Sequence, residues 1–150
     1  MPISISISKF ERFFRLAASL DIDKEDLRRL EDFINAKIGD LVVRAEAIAK
    51  ANTRDIIMPF DIPITKGLQD RMHEFRKIDA DVGLEDELDK MVKRPPTAFE
   101  YFEDTEAQLV WIAGGLTLAV ARSFRIVEPG LKNPTTPQWG RAFALYDLLI

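Results

Sequence analysis

The sequence predicts an all-α chain made of two successive units, each a short, a long and a short helix. Three observations predict it. First, Leu27, Leu30, Ile34, Ile38, Leu41, Ala45 and Ile48, and later Leu109, Ile112, Leu116, Val120, Phe124 and Val127, form two extended apolar stripes at helical spacing. Second, each stripe is flanked on both sides by a shorter amphipathic stretch. Third, Gly39 and Gly115 fall near the midpoints of the two stripes, 76 residues apart in a chain of 150. The halves share this pattern but little residue identity. Short partners leave one side of a long central helix uncovered, whereas two units with their long helices crossing cover both. The whole chain, 1–150, is therefore expected to be one domain, with a first half over 9–78 and a second over 79–150.

The elements follow in order. Pro2 to Ser8 alternates isoleucine with serine, as an edge strand does, but a lone strand needs a partner and a frayed terminus is favoured. Lys9 to Leu20 reads as a short helix with Phe10, Phe13, Phe14 and Ala17 on its apolar face. Asp23 is a good N-cap for the first long helix; Asp26 three residues on gives a weak capping box, and Ile22 with Leu27 a hydrophobic staple. Asp23, Glu25 and Asp26 at its start and Lys50 at its end suit the helix dipole. Asn52 is able to close it in the left-handed conformation. Pro59 and Pro63 delay the next helix, which carries Ile64, Leu68, Met72 and Phe75 and reaches Ile78. Asp79 to Gly83 breaks it. Leu84, Leu88, Met91 and Val92 mark another short helix, stopped by Pro95-Pro96. The second long helix starts with a capping box at Thr97 and Glu100 or at Thr105 and Gln108; the residues do not choose between them. Pro129-Gly130 ends it. Trp139, Ala142, Phe143, Tyr146 and Leu149 form the last short helix.

The midpoint glycines have two readings. An interior glycine costs roughly 1 kcal/mol against alanine, so it is either a tolerated defect or a place where another helix comes close because no Cβ intervenes. Gly39, Gly114 and Gly115 are the candidates for a helix crossing.

Composition narrows the function. The chain has no cysteine, which removes disulfides, thiolate metal sites and cysteine nucleophiles. A net charge of -4 and a pI near 5.1 argue against a basic nucleic-acid coat. No signal peptide and no membrane-spanning run is read in the sequence, so a cytoplasmic location is expected. His73 is the sole histidine and reads as a partly buried or surface helix residue, not a catalytic base. Asp79 to Gly83 begins like a calcium loop but has Lys90 where the twelfth-position glutamate belongs. Pro134 disqualifies Asn133 as a glycosylation site. No cofactor or metal site is expected, and the chain is read as non-enzymatic. Trp111 and Trp139 are core residues by default and docking points if exposed.

One motif ties the pattern to a known fold. Arg54, Ile57, Asp61 and Ile62 follow the spacing of the loop after the long helix in archaeal and eukaryotic histones. The chain resembles the histone fold on that motif and on its helix order. That resemblance implies an Arg54–Asp61 pair holding the loop against the third helix, and Ile57 in a short strand beside the first loop of the other half. The second half has no copy of the motif, since Lys132-Asn133-Pro134 occupies that loop. The whole chain is also similar to a small family of uncharacterised bacterial proteins with two histone folds in one polypeptide. The matching stretches are Phe10 to Arg15, Asp21 to Lys24, Asp61 to Leu68 and Leu131 to Pro134. The resemblance implies a double histone fold, a single-chain pseudodimer of two short-long-short units, and supplies no activity.

Two roles follow as expectations. The favoured one is a protein-protein interaction or assembly module, by heterodimerization or self-association, with no membrane partner. The alternative is weak, salt-sensitive, sequence-independent DNA binding. For the alternative, Lys50 and Arg54 are expected beside Lys93 and Arg94 at one basic end, with Lys9, Arg12 and Arg15 on the first helix as further candidate phosphate contacts. At the other end Asp21 and Asp23 would face Lys132 and Asn133, a poor phosphate site.

Overall fold

A computed structural model describes residues 6–150; the Pro2 to Ser8 reading lies partly outside them, and Ile7 and Ser8 are helical, not extended. Among the described residues there are six helices and one two-stranded sheet, so the chain is all-α. The helices are α1 (Ile7–Ala18), α2 (Lys24–Ala51), α3 (Lys66–Val82), α4 (Glu85–Met91), α5 (Glu103–Val127) and α6 (Thr136–Leu149). The strands are β1 (Ile56–Ile57) and β2 (Glu100–Tyr101).

The long helix α2 starts where its cap residues dictate. The Asp23 carboxylate accepts from the Asp26 N–H at 2.8 Å, and Asp26 accepts from the Asp23 N–H at 3.1 Å, closing a capping box. Ile22 and Leu27 are both buried beside it. At the far end the left-handed residue is Thr53 (φ 58°), not Asn52 (φ -102°). Asn52 instead donates its side-chain N–H to the Ile48 carbonyl. The helix α3 runs past Ile78 to Val82, because the residue able to take positive φ is Gly83 (φ 73°). Asp79, in the last turn of α3, is buried and accepts from the Leu84 and Glu85 N–H groups, so it caps α4 and is no calcium ligand loop.

Neither expected capping box starts α5. Phe102 precedes it without a side-chain cap. Thr97 bonds to Glu46 on α2, and Thr105, buried in the first turn of α5, donates to the Ile57 carbonyl at 2.7 Å. By length and hydropathy α5 is able to cross a membrane, which corrects the reading that no such run exists. Its apolar residues are instead taken up by the surrounding helices: Leu109, Ile112, Leu116, Leu118 and Val120 are all buried within the protein.

The two long helices join the same two ends of the molecule in opposite directions. At one end, β1 after α2 pairs in parallel with β2 before α5, in the register Ile56 to Glu100 and Ile57 to Tyr101. At the other end, the Asp21 N–H before α2 donates to the Lys132 carbonyl after α5 at 2.7 Å. With 25 residues, α5 separates these ends by about 37 Å.

The glycines do not mark where the long helices meet. Nothing lies within 4 Å of a Cβ placed on Gly39, so it is the tolerated kind. A Cβ on Gly114 would stand 2.5 Å from Phe75 Cε1, and one on Gly115 2.6 Å from Met72 Cγ. The close approach is therefore between α5 and α3, and two adjacent glycines make it.

Candidate functional site

The paired-loop end is built around the Arg54 and Asp61 side chains. Asp61 sits in a short 3-10 turn, Pro59–Asp61, and is wholly buried. Arg54 reaches it with both terminal guanidinium nitrogens, at 2.5 and 2.7 Å, and the Met58 N–H adds a third bond at 2.8 Å. The guanidinium hydrogen bonds hold the Asp61 carboxyl below the usual carboxylate range, against the opposing effect of burial. The Arg54 guanidinium also lies 5.1 Å from the Phe60 ring, which is itself exposed. The strand pairing is completed by Glu100 N–H to Asp55 and Phe102 N–H to Ile57, both 3.1 Å.

Lys93 and Arg94 are not brought beside Lys50. The Lys93 N–H donates to Asn35, at the middle of α2, and Asn35 also holds the Met91 carbonyl. From Asn35 to Lys50 is roughly 22 Å along the helix axis. Proline pairs with no helix ladder, so the Pro95-Pro96 segment stays extended and runs along α2, past Glu46 at Thr97, before reaching β1. Among the seven candidate phosphate contacts, Arg54 is engaged by Asp61, Arg94 by Glu106 at 2.6 Å, and Arg15 by Asp21 at 3.0 Å. Lys50, Lys93 and Arg12 are exposed. Lys9 Nζ lies at the end of α3, beside Gly83. The expected basic end is thus dispersed along the molecule.

His73 is exposed on α3 and lines a shallow groove with Phe60, Met72, Arg76 and Gln108. Trp111 is half-buried under the Arg76 guanidinium, 4.2 Å from its ring. Trp139 is wholly buried between Phe14, Phe124 and Phe143. Its ring nitrogen faces the Asp26 carboxyl without closing a hydrogen bond. Burial pushes the Asp26 carboxyl above its ordinary value.

The surface that sequence reasoning missed is at the opposite end, where α5 finishes and α6 packs back. One side of α6 is core: Trp139, Ala142, Phe143 stacked 4.3 Å from Phe33, and Tyr146. Lys37, buried on α2, bonds Asp147 at 2.5 Å and fixes its far end. The other side carries Leu145, Leu148 and Leu149, spaced at three and four residues and lying in the open. Leu148 is 83% and Leu149 74% exposed. In the last turn of α5, Val127 (61% exposed) does not belong to the buried stripe, and Ile126 (80%) lines a second groove with Leu149, Leu68 and Tyr146. Between the two helices runs a groove of about 420 Å³ lined by Phe124, Val127, Leu131, Ala142, Leu145 and Leu148. The signal in the sequence is a second set of leucines, Leu145, Leu148 and Leu149, beside the Trp139, Ala142, Phe143 and Tyr146 stripe, an apolar arc wider than one buried face needs.

The comparisons agree with a protein of this shape. The family described as "Domain of unknown function (DUF1931)" matches residues 10–147. An uncharacterized protein of Aquifex aeolicus is 33% identical over 110 residues, which span 73% of this chain and 64% of that relative, so the match covers less than two thirds of its length. A crystal structure of a Thermus thermophilus protein is 43% identical, with a TM-score of 0.85 over 97% of this chain and 99% of that one. A crystal structure of an Aquifex aeolicus protein is 27% identical, with a TM-score of 0.86 over 97% and 96%.

Proposed function

This chain belongs to the DUF1931 family of uncharacterised bacterial proteins, and on that premise we propose that it is a non-enzymatic double histone-fold module that acts by binding another protein. The fold reading is supported by the reciprocal loop contacts. The loop after α2 meets the loop before α5, and the loop before α2 meets the loop after α5. Two clasped units related by a pseudo-twofold axis require that reciprocity. The bidentate Arg54–Asp61 pair supports it further.

The functional reading rests on one contrast. Three of the seven basic candidates are paired with the chain's own carboxylates, while five large aliphatic side chains at the α5–α6 end stand uncovered. Exposed apolar side chains gathered at one end of a molecule are a feature of interaction sites. Phosphate neutralisation needs several free cations acting together. Among the described residues no cluster of three histidine, aspartate or glutamate side chains is placed to hold a metal ion.

Two titrations test the reading. An environment-sensitive apolar dye is expected to bind the folded protein, and Leu148→Asp to abolish most of that binding without loss of helix signal. Duplex DNA is expected to give no saturable complex at low or moderate salt. A saturable DNA complex lost in Lys50→Glu with Lys93→Glu would transfer the function to nucleic acid.

A further inference from the structure

We propose that the groove between the Pro59–Asp61 turn, α3 and α5 binds a short extended peptide segment of another protein, one in which an apolar side chain and a carboxylate stand two residues apart. This surface is separate from the α5–α6 end, so the inference goes beyond the reading above and stands or falls apart from it. Three observations select that ligand.

The first is shape. The groove is shallow, about 290 Å³, and is walled by Phe60, Ile64, Met72, His73, Arg76 and Gln108. That is small for a small-molecule site but leaves room for a peptide side chain. Phe60 is 72% exposed, and its place is set by the turn: Arg54 lies 5.1 Å from its ring, and Arg54 is itself held by Asp61. An exposed, positioned aromatic ring beside methionine and arginine has the composition of a protein-binding surface.

The second is charge. None of the residues lining the groove is acidic, although the chain holds 25 acidic side chains. Arg76 rests 4.2 Å from the Trp111 ring and is in no ion pair among the described residues. Its helix neighbours are engaged elsewhere: Asp70 by Lys66 at 2.8 Å, and Glu74 by Arg71 and Arg122 at 2.6 and 2.8 Å. One guanidinium without a carboxylate matches a single acidic side chain, whereas a polyanion needs several free cations together. The third is an unanswered acceptor. The Gln108 side-chain oxygen is buried at the groove wall without a hydrogen-bond partner, which costs free energy until a donor arrives. A peptide N–H is such a donor. The spacing follows from α3. Met72 and Arg76 are four residues apart, about 6 Å along the helix axis. Residues i and i+2 of an extended peptide are about 6.6 Å apart and point the same way. An apolar side chain over Met72 therefore brings the carboxylate two residues on to Arg76.

Titrating the isotope-labelled full chain with the peptide acetyl-Gly-Phe-Ala-Glu-Gly-amide, read by amide chemical shifts, tests this. Saturable shifts are expected at Phe60, His73, Arg76 and the Gln108 side-chain amide. A peptide with glutamine in place of glutamate is expected to bind about fivefold more weakly, near the top of what an exposed ion pair contributes. Arg76→Glu is expected to reverse the preference, so that a lysine peptide binds better than the glutamate one. Phe60→Ala is expected to remove most of the binding with unchanged circular dichroism, since the ring is exposed. Leu148→Asp is expected to leave the peptide affinity unchanged. No saturable shift at millimolar peptide, or equal binding of the glutamate and glutamine peptides, would overturn the inference. So would stronger binding of single-stranded octathymidylate at the same residues, which would assign the groove to nucleic acid. Shifts confined to 141–149 would defeat this inference while leaving the α5–α6 reading in place.

Discussion

The two ends of the molecule are made of the same part, a loop after one long helix meeting the loop before the other, yet they are held very differently. At the β1–β2 end, a parallel ladder, a wholly buried Asp61 with three donors and the Thr105 hydroxyl on the Ile57 carbonyl leave few polar groups unanswered. At the other end, one backbone bond joins Asp21 to Lys132, and the nearby Arg15–Asp21 pair stands in solvent. There the aliphatic residues face outward. The difference teaches that a closed end needs every buried polar group partnered, whereas a loosely tied end leaves apolar side chains in solvent.

The coarsest way to break the comparison is to disturb the centre that connects both ends. Gly114→Val drives a branched side chain into the Phe75 ring and is expected to cost about 3 kcal/mol or more. Gly39→Ala, with open space around it, is expected to stabilise by up to about 1 kcal/mol. Chemical denaturation reads both. At the closed end, Asp61→Asn is expected to cost about 2–3 kcal/mol, because it leaves the Arg54 guanidinium without its carboxylate. The native carboxyl is depressed, so its contribution is complete above the unfolded value near pH 4 and is lost as pH falls through the lower folded value. The variant's stability should be flatter across that acid window. At the loosely tied end, Arg15→Ala removes an exposed pair and is expected to change stability by no more than about 0.5 kcal/mol. Comparable losses for Asp61→Asn and Arg15→Ala would erase the distinction between the ends.

Much of the local structure at both ends was legible in the sequence because its parts lie close together in the chain. Asp23 and Asp26 cap α2 by their spacing alone, and Arg54 and Asp61 stand seven residues apart in one loop. Proline and glycine placed the helix ends to within a few residues. What escaped was set by long-range packing. The Gly114-Gly115 pair was visible, but its partner α3 was not, since a missing Cβ shows that something comes close without showing what. The path of Lys93 along α2 depends on Asn35, 58 residues away. The open face escaped because Leu145, Leu148 and Leu149 carry the same helical spacing as core residues; periodicity distinguishes faces of a helix, not which face meets solvent.

Hydrogen exchange of the full chain tests the central claim most directly. Protection across 54–62 and 99–105 should be high, while 128–136 and 145–149 should exchange faster. Equal protection at the two ends, or faster exchange at the β1–β2 end, would contradict the account.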